Sequence, residues 1–278
     1  MENGKEDLAG KFISRTVSSI ILMTFVMGVV YFIPNWMFTI VISLFIAAGM
    51  FEFFRMVEKR DIFVYKYFGT VVGCLIPVVI FMEGGFPEMK NWGPILIVTA
   101  TLLTFILQLI RRDNAKDHLV SMALTLFALF YIGWFFSFFV QLKILENGSN
   151  LVAFLVIVTK SADIGAYLIG SRLGRSELIP RISPKKTKEG TIGGILFSVV
   201  VSVVVGRFLT GFSLLHLTML GFILATLGQV GDLAESLIKR DCGVKDSGAY
   251  FSGIGGVLDL IDSLLFTAPV FWFYVKTF

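Results

Sequence analysis

The chain reads WGPILIVTATLLTFILQLI from Trp92 to Ile110, a run of nineteen residues without a charged side chain. A helix of about 20 mostly apolar residues crosses the hydrocarbon core of a bilayer. Similar apolar runs recur along the chain, at 16–33, 36–54, 64–82, 92–110, 118–142, 151–170, 190–209, 213–232 and 254–275. The sequence therefore predicts an all-α integral membrane protein with about nine transmembrane helices.

The composition supports the same class. Of the 278 residues, 56% are hydrophobic and only 16% are charged, whereas soluble domains carry roughly 25% charged residues. This balance excludes an ordinary water-soluble domain and an intrinsically disordered chain. Nine spans would use most of the chain and leave no room for a large soluble domain.

Basic residues indicate how the chain is oriented. If the N-terminus is cytoplasmic, nineteen of the 24 lysines and arginines fall in segments facing the cytoplasm. Four fall in segments facing the other side, and Lys160 lies within a span. Because cytoplasmic loops are enriched in Lys and Arg, we expect a cytoplasmic N-terminus and an outside C-terminus. In a bacterium, the location would be the inner membrane.

Polar residues at membrane depth are concentrated in the second half of the chain. We therefore expect residues 1–150, spans one to five, to form a transmembrane scaffold and residues 151–278, spans six to nine, to carry the functional region with its cytoplasmic loops. The ionisable residues in or next to these later spans are Lys160, Asp163, Asp232, Glu235, Asp259 and Asp262.

Two carboxylate pairs flank the loop between the last two spans. Asp232 and Glu235 are three residues apart and share a helix face, as do Asp259 and Asp262. An ionised group at the bilayer centre costs about 2.5–3.5 kcal/mol on the insertion scale. Carboxylates that converge repel each other unless a cation bridges them, and oxygen ligands suit Mg²⁺. The alternative is a purely structural set of ion pairs with Lys239 and Arg240.

A basic segment precedes the seventh span. Residues 182–194 read ISPKKTKEGTIGG, which places a hydroxyl, lysines and glycines before a helix N-terminus. Such an arrangement can cradle a phosphate, although the Walker A pattern is absent. The lysines can equally bind anionic lipid head groups.

Two further features have structural alternatives. Asp163 stands with small residues in span six, where it can line a polar cavity or simply pair with Lys160. Span five carries aromatic side chains that indicate a packing surface, a lipid-facing surface or a subunit contact. These are Phe127, Phe130, Tyr131, Trp134, Phe135, Phe138 and Phe139.

The second half of the chain resembles the phosphatidate cytidylyltransferase, or CDP-diacylglycerol synthase, family. The family signature S-x-x-K-R-x4-K-D-x-G, followed by a glycine-rich turn and D-R-x-D, is matched at Ser236, Lys239, Arg240, Lys245, Asp246, Gly248, Gly253, Gly255, Gly256, Asp259 and Asp262. Upstream similarity includes 163–167, 183–194, Gly231, Asp232 and Glu235. The resemblance covers roughly residues 160–265.

The chain departs from the family pattern at four positions. Ser252, Ile254 and Leu260 replace the usual Pro, His and Arg, and Lys188 replaces a Trp. Loss of the His and Arg would weaken nucleotide or phosphate contacts. The signature aspartates are intact.

The resemblance implies transfer of the cytidylyl group of CTP to phosphatidate at a site facing the cytoplasm. It implies Mg²⁺, with a second cation as an open alternative, held by Asp232, Asp259 and Asp262. The catalytic residues that it implies are Asp232, Lys239, Asp246, Asp259 and Asp262. The substrate-binding residues that it implies are Asp163, Ser183, Lys186, Thr187, Glu235, Arg240 and Lys245. The expected partners are CTP, phosphatidate and membrane lipids, with a homodimer as a candidate assembly and no nucleic acid.

Three other functions stay open at this point. A CTP-dependent transferase or kinase could act on another lipid, such as a polyprenyl or archaeal-type lipid. A transporter would use Lys160 and Asp163 in an ion pathway, although the carboxylates gather at one face and no inverted repeat is visible. A non-catalytic lipid-binding relative is suggested by Ile254 and Leu260.

Overall fold

The computed structural model describes residues 23–111, 117–248 and 255–278, and most of them are helical. The helices are α1 (Met23–Phe32), α2 (Asn35–Glu58), α3 (Lys66–Gly85), α4 (Trp92–Ile110), α5 (His118–Lys143), α6 (Gly148–Leu173), α7 (Lys188–Leu209), α8 (Leu214–Asp241) and α9 (Val257–Thr277). A short 3₁₀ turn occupies Pro87–Met89, and a two-stranded hairpin is formed by β1 (Glu177–Ile179) and β2 (Ser183–Thr187).

Eight of these helices, α2 to α9, are long and apolar enough to cross a membrane. They contain 19 to 28 residues, or about 28–42 Å at a rise of 1.5 Å per residue. The predicted all-α membrane class agrees with this arrangement. The predicted first span, 16–33, lies partly outside the described residues, and α1 covers most of its described part. The count of nine spans and the orientation of the termini therefore stay predictions.

Helix α8 extends beyond the predicted span, as the helix face predicted for Asp232 and Glu235 requires. The predicted span ended near residue 232, whereas the helix continues to Asp241. No proline interrupts this stretch, and the chain turns at Gly243, which has a φ of 67°. Asp232, Glu235 and Lys239 therefore lie along one continuous helix, at spacings of three and four residues.

The outer surface is rich in large apolar side chains. Phe32, Leu109 and Phe208 are among the most exposed, as expected for helices that face lipid. Helix α9 is the most enclosed span and α4 the least. Helix α9 packs against α8, α2, α5 and α6, so it joins the two halves of the chain.

Close contact between α6 and α7 depends on glycine. A Cβ added to Gly165 would lie 3.1 Å from the Cα of Gly194, and one added to Gly190 would lie 2.9 Å from the Ala166 carbonyl oxygen. Small residues on both helices thus allow α6 and α7 to approach closely.

The basic segment before α7 forms strand β2 of the hairpin. Glu177 on β1 pairs with Thr187 on β2. Thr187 caps α7, because its Oγ1 accepts a hydrogen bond of 3.1 Å from the Gly190 N–H. The Glu189 carboxylate accepts from the N–H groups of Arg175 and Ser176, at 3.1 and 3.2 Å. These bonds attach the hairpin to the start of α7 and so determine where β2 places its lysines.

Candidate active site

Three carboxylates from two helices converge near the start of α9. One carboxylate oxygen from each of Asp232, Glu235 and Asp262 lies within 4.8 Å of the others. Glu235 is fully buried, Asp262 is buried and Asp232 is partly exposed. Asp232 and Glu235 lie almost one turn apart on α8, and Asp262 faces them from α9. The predicted convergence of these two helices is therefore present.

Two lysines flank this group from other elements. Lys186, on β2, forms an ion pair with Asp232. Lys160, on α6, lies 3.9 Å from the Asp262 carboxylate and 3.6 Å from that of Asp163. Both lysines keep about a quarter of their side-chain surface exposed, at 27% for Lys186 and 26% for Lys160. The Nζ atom of Lys186 is itself buried, so the exposed surface of this side chain lies on its carbon stem.

A third lysine lies deeper and connects two carboxylates. Lys239 forms ion pairs with Glu235 on its own helix and with Asp259 on α9. Asp259 also accepts hydrogen bonds from the N–H groups of Gly256, at 2.8 Å, and Ser247, at 3.1 Å. The carboxylate of Asp259 is thus occupied in capping α9 and holding the preceding loop.

The cluster carries more negative than positive charge. Its ionisable side chains are the five carboxylates of Asp163, Asp232, Glu235, Asp259 and Asp262 and the three amines of Lys160, Lys186 and Lys239. If all of them ionise, the carboxylates exceed the amines by two charges. A buried excess of this kind is costly unless a cation compensates it.

The donor set fits a hard divalent cation. Oxygens bound to octahedral Mg²⁺ at about 2.1 Å are at most about 4.2 Å apart, close to the 4.8 Å limit within which the three carboxylates lie. The expected metal set was Asp232, Asp259 and Asp262. In the structure, Glu235 lies beside Asp232 and Asp262, while Asp259 is directed at Lys239 and the backbone.

Several expected substrate-binding residues, together with Asp246, which was expected to be catalytic, lie outside this cluster. Arg240 donates from Nε to a backbone carbonyl of the hairpin, at 3.2 Å. Thr187 caps α7, and Ser183 is partly buried at the start of β2. Lys245 and Asp246 are exposed on the loop after α8. Their predicted roles therefore stay predictions.

Glu52 on α2 contacts this region and was missed by sequence reasoning. It is 2% exposed and accepts hydrogen bonds from the N–H groups of Val257, at 2.9 Å, and Leu258, at 2.8 Å. The Ser247 hydroxyl lies 2.9 Å from the same carboxylate. The available signal was a single carboxylate within the apolar run 36–54.

Tyr131 on α5 was also missed, because the aromatic residues of this helix predict only packing. Its ring is buried and lies edge-on to Phe266 of α9. Its hydroxyl is buried and has no hydrogen-bond partner within the described residues. Phe266 lies one helical turn after Asp262, which brings the Tyr131 ring near the carboxylate cluster. Tyr131 lies in the π-helical turn Leu129–Trp134, a kind of irregularity that is frequent at functional sites.

Among the departures from the family pattern, only two lie in described segments. Leu260 is partly buried and packs against the apolar core, and Lys188 is exposed at the start of α7. Ser252 and Ile254 lie outside the described residues.

Several known proteins are similar to this chain in sequence. An uncharacterized Escherichia coli (strain K12) protein, YnbB, is 41% identical over 153 residues, which span 55% of this chain and about half, 51%, of that protein. Phosphatidate cytidylyltransferase of Bacillus subtilis (strain 168) is 32% identical over 251 residues, covering 87% of this chain and 89% of the relative. Phosphatidate cytidylyltransferase 4, chloroplastic, of Arabidopsis thaliana is 31% identical over 284 residues, covering 90% of this chain and 70% of the relative.

A family model supports the same relationship over a longer range. The model, described as the cytidylyltransferase family, matches residues 13–278. It includes both the membrane helices of the first half and the carboxylate cluster. The chain therefore belongs to the cytidylyltransferase family and is a CTP-dependent nucleotidyltransferase of the membrane.

Proposed function

We propose that the protein transfers the cytidylyl group of CTP to phosphatidate, producing CDP-diacylglycerol in the membrane and releasing pyrophosphate. The activity named for the Bacillus and Arabidopsis relatives supports this substrate. The observation that carries the proposal is the convergence of Asp232, Glu235 and Asp262 among lysines from three separate elements. Such a site can hold a cation and phosphates together.

The chemistry of phosphatidate suits this arrangement. An oxygen of its phosphomonoester attacks the α-phosphorus of CTP, and the bond from that phosphorus to the α–β bridging oxygen breaks. Pyrophosphate leaves with the electron pair. A phosphomonoester is mostly ionised at pH 7, so the nucleophile needs no strong base. The protein's contribution is then positioning and charge neutralisation.

We propose that Asp232 and Asp262 hold Mg²⁺, with Glu235 and Asp259 adjacent and a second cation as an open alternative. When bound, Mg²⁺ would offset the charge on the phosphates and stabilise the leaving group. A cation at Asp232 would compete with Lys186 for that carboxylate. Lys186 would then be free to bind a phosphate of CTP or of the lipid.

Tyr131 and Lys160 complete the proposed site. The buried Tyr131 hydroxyl has no hydrogen-bond partner within the described residues, and a phosphate oxygen would be a suitable acceptor. Lys160 donates a hydrogen bond of 2.8 Å to Ser263 and lies beside Asp163 and Asp262. Lys160 would thus place a positive charge near the start of α9, where a phosphate of the substrate would bind.

We propose that the site faces the cytoplasm, where CTP is found, and that the lipid enters sideways with its head group at the interface. The distribution of basic residues in the sequence supports this orientation. In a bacterium, the membrane would be the inner one. A homodimer is the assembly that the family resemblance suggests.

The position of a radiolabel tests the reaction directly. Purified protein is incubated with phosphatidate and CTP labelled at either the α- or the γ-phosphate. We expect the α label in the lipid and the γ label in pyrophosphate. A γ label in the lipid would instead identify a CTP-dependent kinase. Labelling of a polyprenyl phosphate but not of phosphatidate would redirect the proposal to another lipid.

A further inference from the structure

We infer that Glu52 is a positioning residue for cytidylyl transfer: from the scaffold half of the chain, it fixes the start of α9 and thereby the carboxylates of Asp259 and Asp262. The activity test of this inference rests on the proposed function. The structural test does not, and it uses the backbone N–H groups that donate to Glu52.

Glu52 joins two parts of the chain that lie on either side of residues 249–254. On one side, the Ser247 hydroxyl lies 2.9 Å from Glu52 Oε2. On the other side, the Val257 N–H donates to Oε1 at 2.9 Å and the Leu258 N–H donates to Oε2 at 2.8 Å. Both carboxylate oxygens therefore act as acceptors, and one side chain holds both sides of this segment.

These hydrogen bonds cap the N-terminus of α9. The first N–H groups of a helix lack intrahelical partners, and the partial positive charge there favours an anion. The N–H groups of Val257 and Leu258 donate to Glu52, while that of Gly256 donates to Asp259 at 2.8 Å. Two carboxylates from distant parts of the chain thus share the capping of α9.

Ser247 couples the two caps. Its hydroxyl lies 2.9 Å from Glu52 Oε2 and 2.9 Å from Asp259 Oδ2, and its single proton serves one of them at a time. Its N–H donates to Asp259 at 3.1 Å. Any change in the position of Glu52 therefore reaches Asp259, the partner of Lys239, through one shared residue.

Two glycines lie so close to the Glu52 carboxylate that neither position has room for a side chain. A Cβ at Gly248 would lie 2.5 Å from Glu52 Oε1, and a Cβ at Gly256 would lie 2.4 Å from Oε2. The glycines on both sides of residues 249–254 thus fit closely around this carboxylate. Within the described residues, no lysine or arginine forms an ion pair with Glu52. The negative charge of Glu52 is instead balanced by the partial positive charge at the N-terminus of α9.

The test compares Glu52→Gln with Glu58→Gln, a control on the same helix whose carboxylate is exposed and pairs with Lys66. Glutamine has the same size as glutamate but has only one acceptor oxygen, so its amide would face one of the backbone donors. We expect kcat to fall about 10- to 100-fold, the range typical of residues that orient metal ligands. The Mg²⁺ concentration for half-maximal activity should rise, while the KM for CTP and the melting temperature in detergent stay near those of the control.

Hydrogen exchange supplies a readout that does not depend on activity. The amides of Val257 and Leu258 should exchange faster in Glu52→Gln than in Glu58→Gln. If the wild-type protein makes no CDP-diacylglycerol, the proposed function fails, but this exchange measurement still tests Glu52. Unchanged exchange at both amides would contradict the inference.

A second variant keeps the inference testable if Glu52→Gln is unstable. Ser247→Ala removes the shared hydroxyl and leaves the two backbone bonds to Glu52 in place. We expect a smaller fall in kcat than for Glu52→Gln and no further fall in the double variant, because both act through one network. Additive losses, wild-type kcat in folded Glu52→Gln, or, where Glu52→Gln does not fold, wild-type kcat in Ser247→Ala would each overturn a positioning role.

Discussion

Gly231 on α8 lies directly against the backbone of Asp262 on α9. A Cβ added to Gly231 would lie 2.6 Å from the Asp262 carbonyl oxygen and 3.3 Å from the Cα of Ser263. The absence of a side chain allows the two helices to meet at the level of the carboxylate cluster. Asp232 follows Gly231 immediately, so this contact also sets the separation between Asp232 and Asp262.

Gly231→Ala is expected to reduce activity by separating α8 from α9. Alanine stabilises a helix by about 1 kcal/mol relative to glycine. A loss of activity in Gly231→Ala would therefore not result from a weaker helix. The assay is kcat as a function of Mg²⁺ concentration, with Gly211→Ala as the control, since a Cβ at Gly211 meets nothing within 4 Å. Equal activity in the two variants would show that the contact is unimportant.

Lys186→Met is expected to weaken the binding of phosphate groups. A hydrogen bond to a charged group contributes about 1.5–3 kcal/mol, which corresponds to a roughly ten- to hundredfold fall in kcat/KM. Lys185→Met is the matched control, because Lys185 is the exposed neighbour on the same strand. If the two methionine variants behave alike, the lysines contribute only general positive charge at the surface.

Tyr131→Phe is expected to lower kcat/KM about tenfold or more, as the loss of one hydrogen bond to a charged phosphate predicts. The variant keeps the ring and its packing against Phe266. Steady-state kinetics should be compared with those of Tyr274→Phe, whose hydroxyl lies 2.7 Å from His216 and away from the cluster. Normal kinetics in Tyr131→Phe would show that this hydroxyl does not contribute to the proposed site.

The predicted orientation can be measured with single cysteines. In a variant lacking Cys74 and Cys242, Lys59→Cys reports the loop between α2 and α3, and Lys90→Cys reports the segment before α4. Both lysines are exposed. In intact cells, we expect a membrane-impermeant maleimide to label only the cysteine at position 90, because the loop at position 59 would be cytoplasmic. Labelling at position 59 alone would show that the protein has the opposite orientation.

The sequence predicts much of the fold because apolar runs of span length have few structural alternatives. It also predicts that Asp232, Glu235 and Asp262 converge, since residues three apart share a helix face and neighbouring spans are adjacent. It does not predict the direction of Asp259. Helix α9 begins at Val257, so Asp259 lies in the first turn and caps the helix, whereas Asp262 lies one turn later and faces α8.

The roles of Glu52 and Tyr131 could not be read from local sequence. Glu52 lies 195 residues before its contact Ser247, and only the packing of α2 against α9 brings them together. Tyr131 belongs to an aromatic surface that mostly packs against α9, and its position beside the carboxylates depends on that packing. Both residues belong to the half that was expected to be a scaffold. The division of the chain at residue 150 stays a prediction, but residues of the first half contact the site.

We propose that the carboxylate cluster supports metal-dependent cytidylyl transfer to phosphatidate. The most direct test measures labelled lipid formed from α-labelled CTP by wild type and Asp262→Asn, with chelator and after Mg²⁺ is restored. Asp241→Asn is the control, because Asp241 is exposed and pairs with Arg60. We predict labelled lipid that disappears with chelator and returns with Mg²⁺ in wild type and control, and a loss of about a hundredfold or more in Asp262→Asn. Labelling that survives chelation, or that is normal in folded Asp262→Asn, would contradict the claim.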